Sequence, residues 1–338
     1  MQVEPRSNQN SRRAFLCAGS AAVATLLTLG AGTSVRAQPL IETLHILCIS
    51  AAGSTPDIVA RRVAEQLSGR YAKRAIVDNR PGAAGRVAVN ALKLAPADGS
   101  TILLAGVGVS SLNPLLYAAL GYDPAVDLQP VSLAAEMPLA LAVGPAVPDS
   151  VGNVRDLLAW MRANPKLANV GSPGVGSMPH LLEALLFREG DLAWQHVAYL
   201  GGAPTVVALL GGQIAATVLP EAVLRQHRAT GKLRVLATSG ARRSGTMPDV
   251  PSLVEQGYPH LVVLESYAFF MPSRVPAAAI ETASQAIRLA IAHPELAAGF
   301  AELGIAPASS TPAALAARIA AERRYWEPII RAAGIRAE

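Results

Sequence analysis

From about residue 45 onward the chain alternates short apolar, β-branched runs with longer stretches in which apolar positions recur every three or four residues. Runs at 45–50, 75–78, 101–106, 139–143, 168–171, 195–198, 214–219 and 233–238 read as strands. Between most of them lie helical stretches at 55–68, 85–94, 154–163, 178–187, 204–210 and 221–229. Strands separated by helical crossovers imply the α/β class, with mainly parallel sheets covered on both faces. After a last strand at 267–271 the rhythm breaks. Three helical stretches follow, 276–292, 294–303 and 312–333, each opening on a proline, a residue suited to the first turn of a helix. A terminal run of this kind is expected to pack back on the first part of the fold.

Composition narrows the class. The 338 residues are 51% hydrophobic, 4% aromatic and 16% charged, so a full core is available and neither disorder nor a polytopic membrane protein fits. The long apolar run sits near the N-terminus, where Ser11-Arg12-Arg13-Ala14-Phe15-Leu16 places paired arginines just before it and Val35-Arg36-Ala37 supplies small residues for a signal peptidase. Residues 1–37 therefore read as a twin-arginine-type signal peptide cleaved near Ala37, with export to the periplasm. Its removal takes away four of the 29 basic and one of the 24 acidic residues. The formal charge then falls from +5 to about +2. The remaining Lys and Arg are scattered, so no nucleic-acid face is expected. One cysteine, Cys48, remains after cleavage, which excludes an intramolecular disulfide and makes it a buried small hydrophobe. About 300 mature residues exceed one core, and without a low-complexity linker the two expected domains must be joined by chain crossings.

One local pattern occurs three times: a strand, a loop of small residues, and a helix with proline near its start. The loops are Ala51-Ala52-Gly53-Ser54-Thr55-Pro56-Asp57, Gly171 to His180, and Tyr199-Leu200-Gly201-Gly202-Ala203-Pro204. Small residues let the backbone approach a ligand, and a helix start offers unsatisfied N–H groups and partial positive charge. An anion fits that description. Signatures of nucleotide binding, of serine hydrolases with a G-x-S-x-G elbow, and of zinc peptidases are absent from the sequence. No histidine pair has metal-ligand spacing, so neither a metal site, a cofactor nor a catalytic residue is expected. Ser177 and His180, three apart on one helix, leave a periplasmic hydrolase as the rival reading.

The stretches Gly53-Ser54-Thr55-Pro56-Asp57-Ile58-Val59-Ala60-Arg61, Val77-Asp78-Asn79-Arg80-Pro81-Gly82-Ala83-Ala84-Gly85, Gly201-Gly202-Ala203-Pro204 with Leu209-Leu210-Gly211-Gly212-Gln213, Gly231-Lys232-Leu233-Arg234 and Met247-Pro248-Asp249-Val250-Pro251 occur in that order. Together they resemble the Bug-type solute-binding receptors of tripartite tricarboxylate transporters, across essentially the whole mature chain. The resemblance implies a two-domain type II periplasmic binding protein fold with the ligand cleft between domains. Domain 1 would be 40–140 plus 265–338, domain 2 would be 141–264, and hinges would lie near 139–142 and 264–267. It implies a monomeric receptor that closes on a small organic carboxylate and hands it to a membrane permease; a sensor signalling to a membrane kinase is the alternative within that likeness. Carried over, the ligand-binding positions are Gly53, Ser54, Thr55 and Asp57 on one side and Gly174, Gly176, Ser177, His180, Gly202 and Ala203 on the other. Asp57 is expected to brace its helix, because a carboxylate would repel an anion. The chain departs from the family pattern at Ala51-Ala52, at Leu200 where the family often has Lys, and at Ala215 where it often has Asp. Recognition of a ligand amino group, which would want a carboxylate, is not supported by any obvious residue other than Glu221 or Glu265.

Overall fold

The computed structural model describes residues 1–2 and 40–337. The signal peptide expected at 1–37, apart from its first two residues, and the cleavage expected near Ala37 lie outside the described residues. Leu40–Glu338 clusters as one unit.

Strands β1 (Ile41–Cys48), β2 (Ala72–Asn79) and β3 (Thr101–Gly106) pair in parallel in the order β2-β1-β3, with helices α1 (Thr55–Leu67) and α2 (Arg86–Lys93) as the crossovers. Three one-turn helices, α3 (Gly108–Ser111), α4 (Asn113–Leu116) and α5 (Pro124–Asp127), lead into the 16-residue β4 (Leu128–Val143). A second α/β set follows: α6 (Val154–Ala163), β5 (Asn169–Ser172), α7 (Met178–Glu189), β6 (Gln195–Ala198), α8 (Gly202–Leu210), β7 (Ala216–Pro220), α9 (Glu221–Arg225) and β8 (Arg234–Thr238). The chain returns through β9 (Leu264–Pro272) to α10 (Ala277–Ile291), α11 (Pro294–Glu302), the two-residue β10 (Ala306–Pro307) and α12 (Pro312–Ala333).

The two α/β sets form two lobes joined by β4 and β9. β9 lies antiparallel between β3 and β4, and β4 continues into the second lobe, where β7 and β8 pair antiparallel with it. Parallel pairing, expected to predominate, is among these strands confined to β1 with its neighbours and β5 with its neighbours. The sequence pattern located only the last five residues of β4. Its first part carries Pro130, Pro138 and the polar Gln129 and Glu136, which argue against a central strand. The structure accommodates part of this break with register shifts between Pro130 and Ser132 and between Leu133 and Ala135. The one-turn helices were missed because four residues carry no readable period, and the helix expected at 221–229 ends at Arg225 and passes into a 3₁₀ turn at Arg228–Thr230.

In the first lobe Val59, Val63 and Leu67 of α1 pack with Ile280 and Ile287 of α10 on one face of the sheet, and Val89 and Leu92 of α2 with Leu315 of α12 on the other. In the second, Leu157 and Met161 of α6 pack with Leu181 and Leu185 of α7 on Val170 and Val218. The terminal helices pack back on the first lobe as expected, with one exception. Trp326 and Ile330, late in α12, belong to the cluster built on α6 and α7, so α12 touches both lobes. Cys48 is fully buried, and burial pushes its thiol up to about 11, which removes thiolate reactivity.

Gly144, just past β4, has no room for a side chain: a Cβ would stand 2.4 Å from the carbonyl oxygen of Leu209. Gly144→Ala is expected to destabilise the protein by about 1–3 kcal/mol by overpacking. Gly152→Ala, where no heavy atom lies within 4 Å of the added Cβ, is expected to leave denaturant midpoints within error.

Candidate ligand-binding cleft

Strand register places the site. β3 ends at Gly106, opposite Tyr267 of β9, which faces Ala135 of β4; β7 ends at Pro220, opposite Leu139 of β4. β3 and β4 run in the same direction and β7 runs against it. The carboxyl ends of the two parallel sets therefore point at one another, separated by four residues of β4, about 13 Å at strand rise. The loops after β1, β2, β3, β5 and β6 all leave from these ends. That is where open α/β sheets accept ligands.

On the first side, residues 51–53 are exposed and Ser54 and Thr55 half-buried at the start of α1. Ser54 is the N-cap, but its hydroxyl donates to the Ala51 carbonyl at 2.6 Å and makes no cap hydrogen bond. The first-turn N–H groups of α1 are left without a side-chain acceptor. Gly53 adopts φ +80°, and no heavy atom lies within 4 Å of where its Cβ would be. Asp57 braces the loop, as the sequence suggested. It is 2% exposed, accepts from the Gly53 N–H at 2.8 Å, from Asn79 Nδ2 at 2.9 Å and from Arg61 Nε at 3.0 Å, and pairs with the Arg61 guanidinium. Burial alone would raise its pKa, yet these donors outweigh burial and hold the carboxyl below its usual range.

On the second side, Gly174, Gly176 and Ser177 form a turn ahead of α7. Ser177 donates to the Gly174 carbonyl at 2.8 Å and its Oγ accepts from the backbone N–H of His180. Gly176, at φ +73°, could not carry a Cβ, which would meet Leu116 Cδ1 of α4 at 2.5 Å; the bare backbone lets this loop touch the first lobe. The loop of β6 is tied alongside, because Gly201 N–H donates to the Pro173 carbonyl at 3.2 Å and Tyr199 N–H to the Ser172 carbonyl at 2.9 Å. Gly201 is the N-cap of α8 and offers no side-chain cap, leaving Gly202 and the exposed Ala203 at an open helix start. Leu200, fully exposed, stands at the rim.

His180 turns away from this surface. Its Nδ1 accepts the Gly176 N–H at 3.0 Å, and its ring stacks on His196 with centroids 3.7 Å apart. His196 Nε2 in turn meets Ser172 Oγ at 2.7 Å. Two neutral imidazoles therefore hold the loop from behind. Ser177 touches His180 through a backbone N–H and not through the ring, so the pairing a hydrolase needs is absent. Among the described residues no group of three potential ligands could hold a metal ion.

Two further sets of residues border the gap, none of them among the binding positions carried over from the sequence. Ala83 and Ala84 carry φ of 48° and 52° in the turn before α2, and the Ala84 carbonyl is held by Asn113 Nδ2 at 3.2 Å. Nothing in an alanine pair signals a left-handed turn. Glu265 and Glu322 border the floor of the gap, and only Glu265 had drawn notice from sequence. Glu221 is sealed in the second lobe, where the hydroxyls of Ser244 and Thr246 donate to its Oε1.

Burial, with a contribution from His196, lowers the His180 pKa to about 3, and burial lowers that of His196 to about 4. Both lie below the unfolded value near 6.5, so the unfolded chain binds more protons and stability falls as pH drops from about 6.5 toward 4. Urea midpoints measured across this range should decline in the wild type, and His196→Gln should flatten the decline. Asp57 acts lower on the scale: its contribution is present above the unfolded value near 3.9 and is lost as pH falls through its depressed pKa. Asp57→Ala should cost about 2–3 kcal/mol at pH 7 through lost charge-assisted hydrogen bonds.

The model for the tripartite tricarboxylate transporter family receptor matches residues 59–335. Protein BugT of Bordetella pertussis is 31% identical over 287 residues, which cover 83% of this chain and 86% of that protein. Among solved structures, R. palustris Rpa4515 with adipate superposes with a TM-score of 0.81 at 27% identity, covering 87% of this chain and 98% of that one. The periplasmic binding protein BugD shares the fold, with a TM-score of 0.77 at 24% identity over 88% of this chain and 99% of that one. With a two-lobed α/β fold, helix starts facing a cleft and a family match across most of its length, the chain belongs to the tripartite tricarboxylate transporter receptor family, a family of solute-binding receptors and not of enzymes.

Proposed function

We propose that this receptor captures a small organic carboxylate between the loops at 51–57 and at 174–180 with 201–203, and presents it to a tripartite tricarboxylate-type permease. The observation that carries the reading is the convergence of helix starts on one gap without any Arg or Lys in residues 51–55, 173–177 or 199–203. Recognition then falls to backbone N–H groups and hydroxyls. Charge-assisted hydrogen bonds contribute about 1.5–3 kcal/mol each, so three or four approach the roughly 8 kcal/mol of micromolar affinity. The adipate held by Rpa4515 supports this ligand class.

Within this reading Gly53, Ser54, Thr55, Gly174, Ser177, Gly202 and Ala203 face the ligand, while Asp57, Gly176 and His180 position the loops. The lobes, 40–140 with 265–338 and 141–264, close by rotation about β4 near 139–142 and β9 near 264–267, so that ligand contacts with both sides stabilise the closed form. The packing of Trp326 and Ile330 on the second lobe limits how far they part. The receptor acts as a monomer, exported by the twin-arginine route and cleaved after Ala37.

Thermal unfolding of residues 40–338 against mono-, di- and tricarboxylates tests the reading. A ligand at a hundred times its Kd adds about 2.7 kcal/mol to stability and raises Tm. Gly53→Val puts a side chain into the gap at a left-handed backbone position and should weaken the effective carboxylate at least tenfold. No Tm shift with any carboxylate would overturn the proposal.

A further inference from the structure

The floor of the cleft holds a carboxyl group that nothing in the protein satisfies. Cys48 of β1, Leu104 of β3 and Tyr267 of β9 lie on the face of the sheet covered by α1, packed with Val59 and Val63. Side chains alternate along a strand, so Glu265, two residues before Tyr267, lies on that face, one step beyond the end of β3 and above the loop that begins α1. Its Oε1 is 3.4 Å from where a Gly106 Cβ would be, so the bare Gly106 makes room for the carboxyl group. Among the described residues no donor hydrogen-bonds to it, and the side chain is half-buried, reached by solvent from the gap.

The charges around it do not neutralise it. Arg318 of α12 is engaged elsewhere: its guanidinium donates to Ser266 Oγ at 2.7 Å and pairs with Glu136 at 2.5 Å. Glu322 accepts from Ser111 Oγ at 2.8 Å and adds negative charge. Tyr267 is buried and burial holds its hydroxyl neutral. Asp57 is occupied by Gly53, Asn79 and Arg61. Glu221, the other acidic residue that the sequence offered for an amino group, is sealed away under Ser244 and Thr246.

Resting on the carboxylate reading above, we propose that Glu265 is a specificity-determining residue and that the preferred ligand is an amino acid, its carboxylate held at the helix starts and its ammonium group paired with Glu265. A second carboxylate in that place would confront Glu265 and Glu322 with no cation to balance it; an ammonium group supplies the missing charge and donors together. Burial, aided by the Glu322 charge, pushes the Glu265 carboxyl up to about 7, so the pairing strengthens as pH rises through neutrality and a proton is released on binding.

Isothermal titration of residues 40–338 with two matched pairs, 4-aminobutanoate against succinate and 6-aminohexanoate against adipate, reads this directly. The expected result is that the amino acid of at least one pair binds ten times or more tighter than its dicarboxylate. Its affinity should fall about tenfold per pH unit below pH 7, and Glu265→Gln should remove both the preference and the pH dependence while circular dichroism shows the fold unchanged. Dicarboxylates binding as well as or better than the amino acids, or a preference that Glu265→Gln leaves intact, would overturn the role of Glu265 and leave the carboxylate receptor standing. Failure of every carboxylate in the panel would overturn both.

Discussion

The hydrogen-bonded ladder between β4 and β9 is the constraint on which the remainder of the molecule depends. β4 runs through both lobes and β9 brings the chain back to the first, and the pairing of β4 with β9 and β7 fixes where β3 and β7 stop. Because those stops face one another across a few residues of β4, loops far apart in sequence reach the same gap. The irregularities of β4, two register shifts against β9 and one against β8, lie on either side of the gap.

Around this frame stand the loops in which the proposed carboxylate site would be built from backbone. Each loop is held by groups behind it: Asp57 grips Gly53 on the first side, and the His180–His196 stack grips Gly176 and Ser172 on the second. Binding groups fixed before the ligand arrives lose little freedom on binding, which is how neutral N–H groups reach useful affinity without arginine. A loop free of cations also leaves the sign of the cleft to its floor. There Glu136, Glu265 and Glu322 stand against Arg318, the setting on which the proposed role of Glu265 rests.

Much of this was legible in the sequence. The helices at 154–163 and 312–333 and the strand at 101–106 stand where periodicity placed them, because each buries an apolar face or run, and the strand at 195–198 stands there too although none of its residues is fully buried. The three small-residue loops and the bracing role of Asp57 were readable from spacing and charge. The first part of β4 was not, since Pro130, Pro138 and Glu136 break the pattern of a central strand and only pairing with β9 rescues it. The orientation of His180 was equally hidden, for its partner His196 lies on a different strand and the contact exists only after folding. Glu265 was noticed as an acid of possible use, but its lack of a partner depends on Arg318, fifty-three residues later, being taken by Glu136.

Amide hydrogen exchange on residues 40–338, with and without a saturating carboxylate identified by thermal shift, tests the central claim most directly. The loops at 51–57, 174–178 and 201–203 should gain protection together, accompanied by 136–142 and 264–267 where the lobes hinge. Protection confined to one lobe, or centred instead on the open groove between Arg188, Trp194 and Arg336, would contradict a ligand held between the two sets of helix starts.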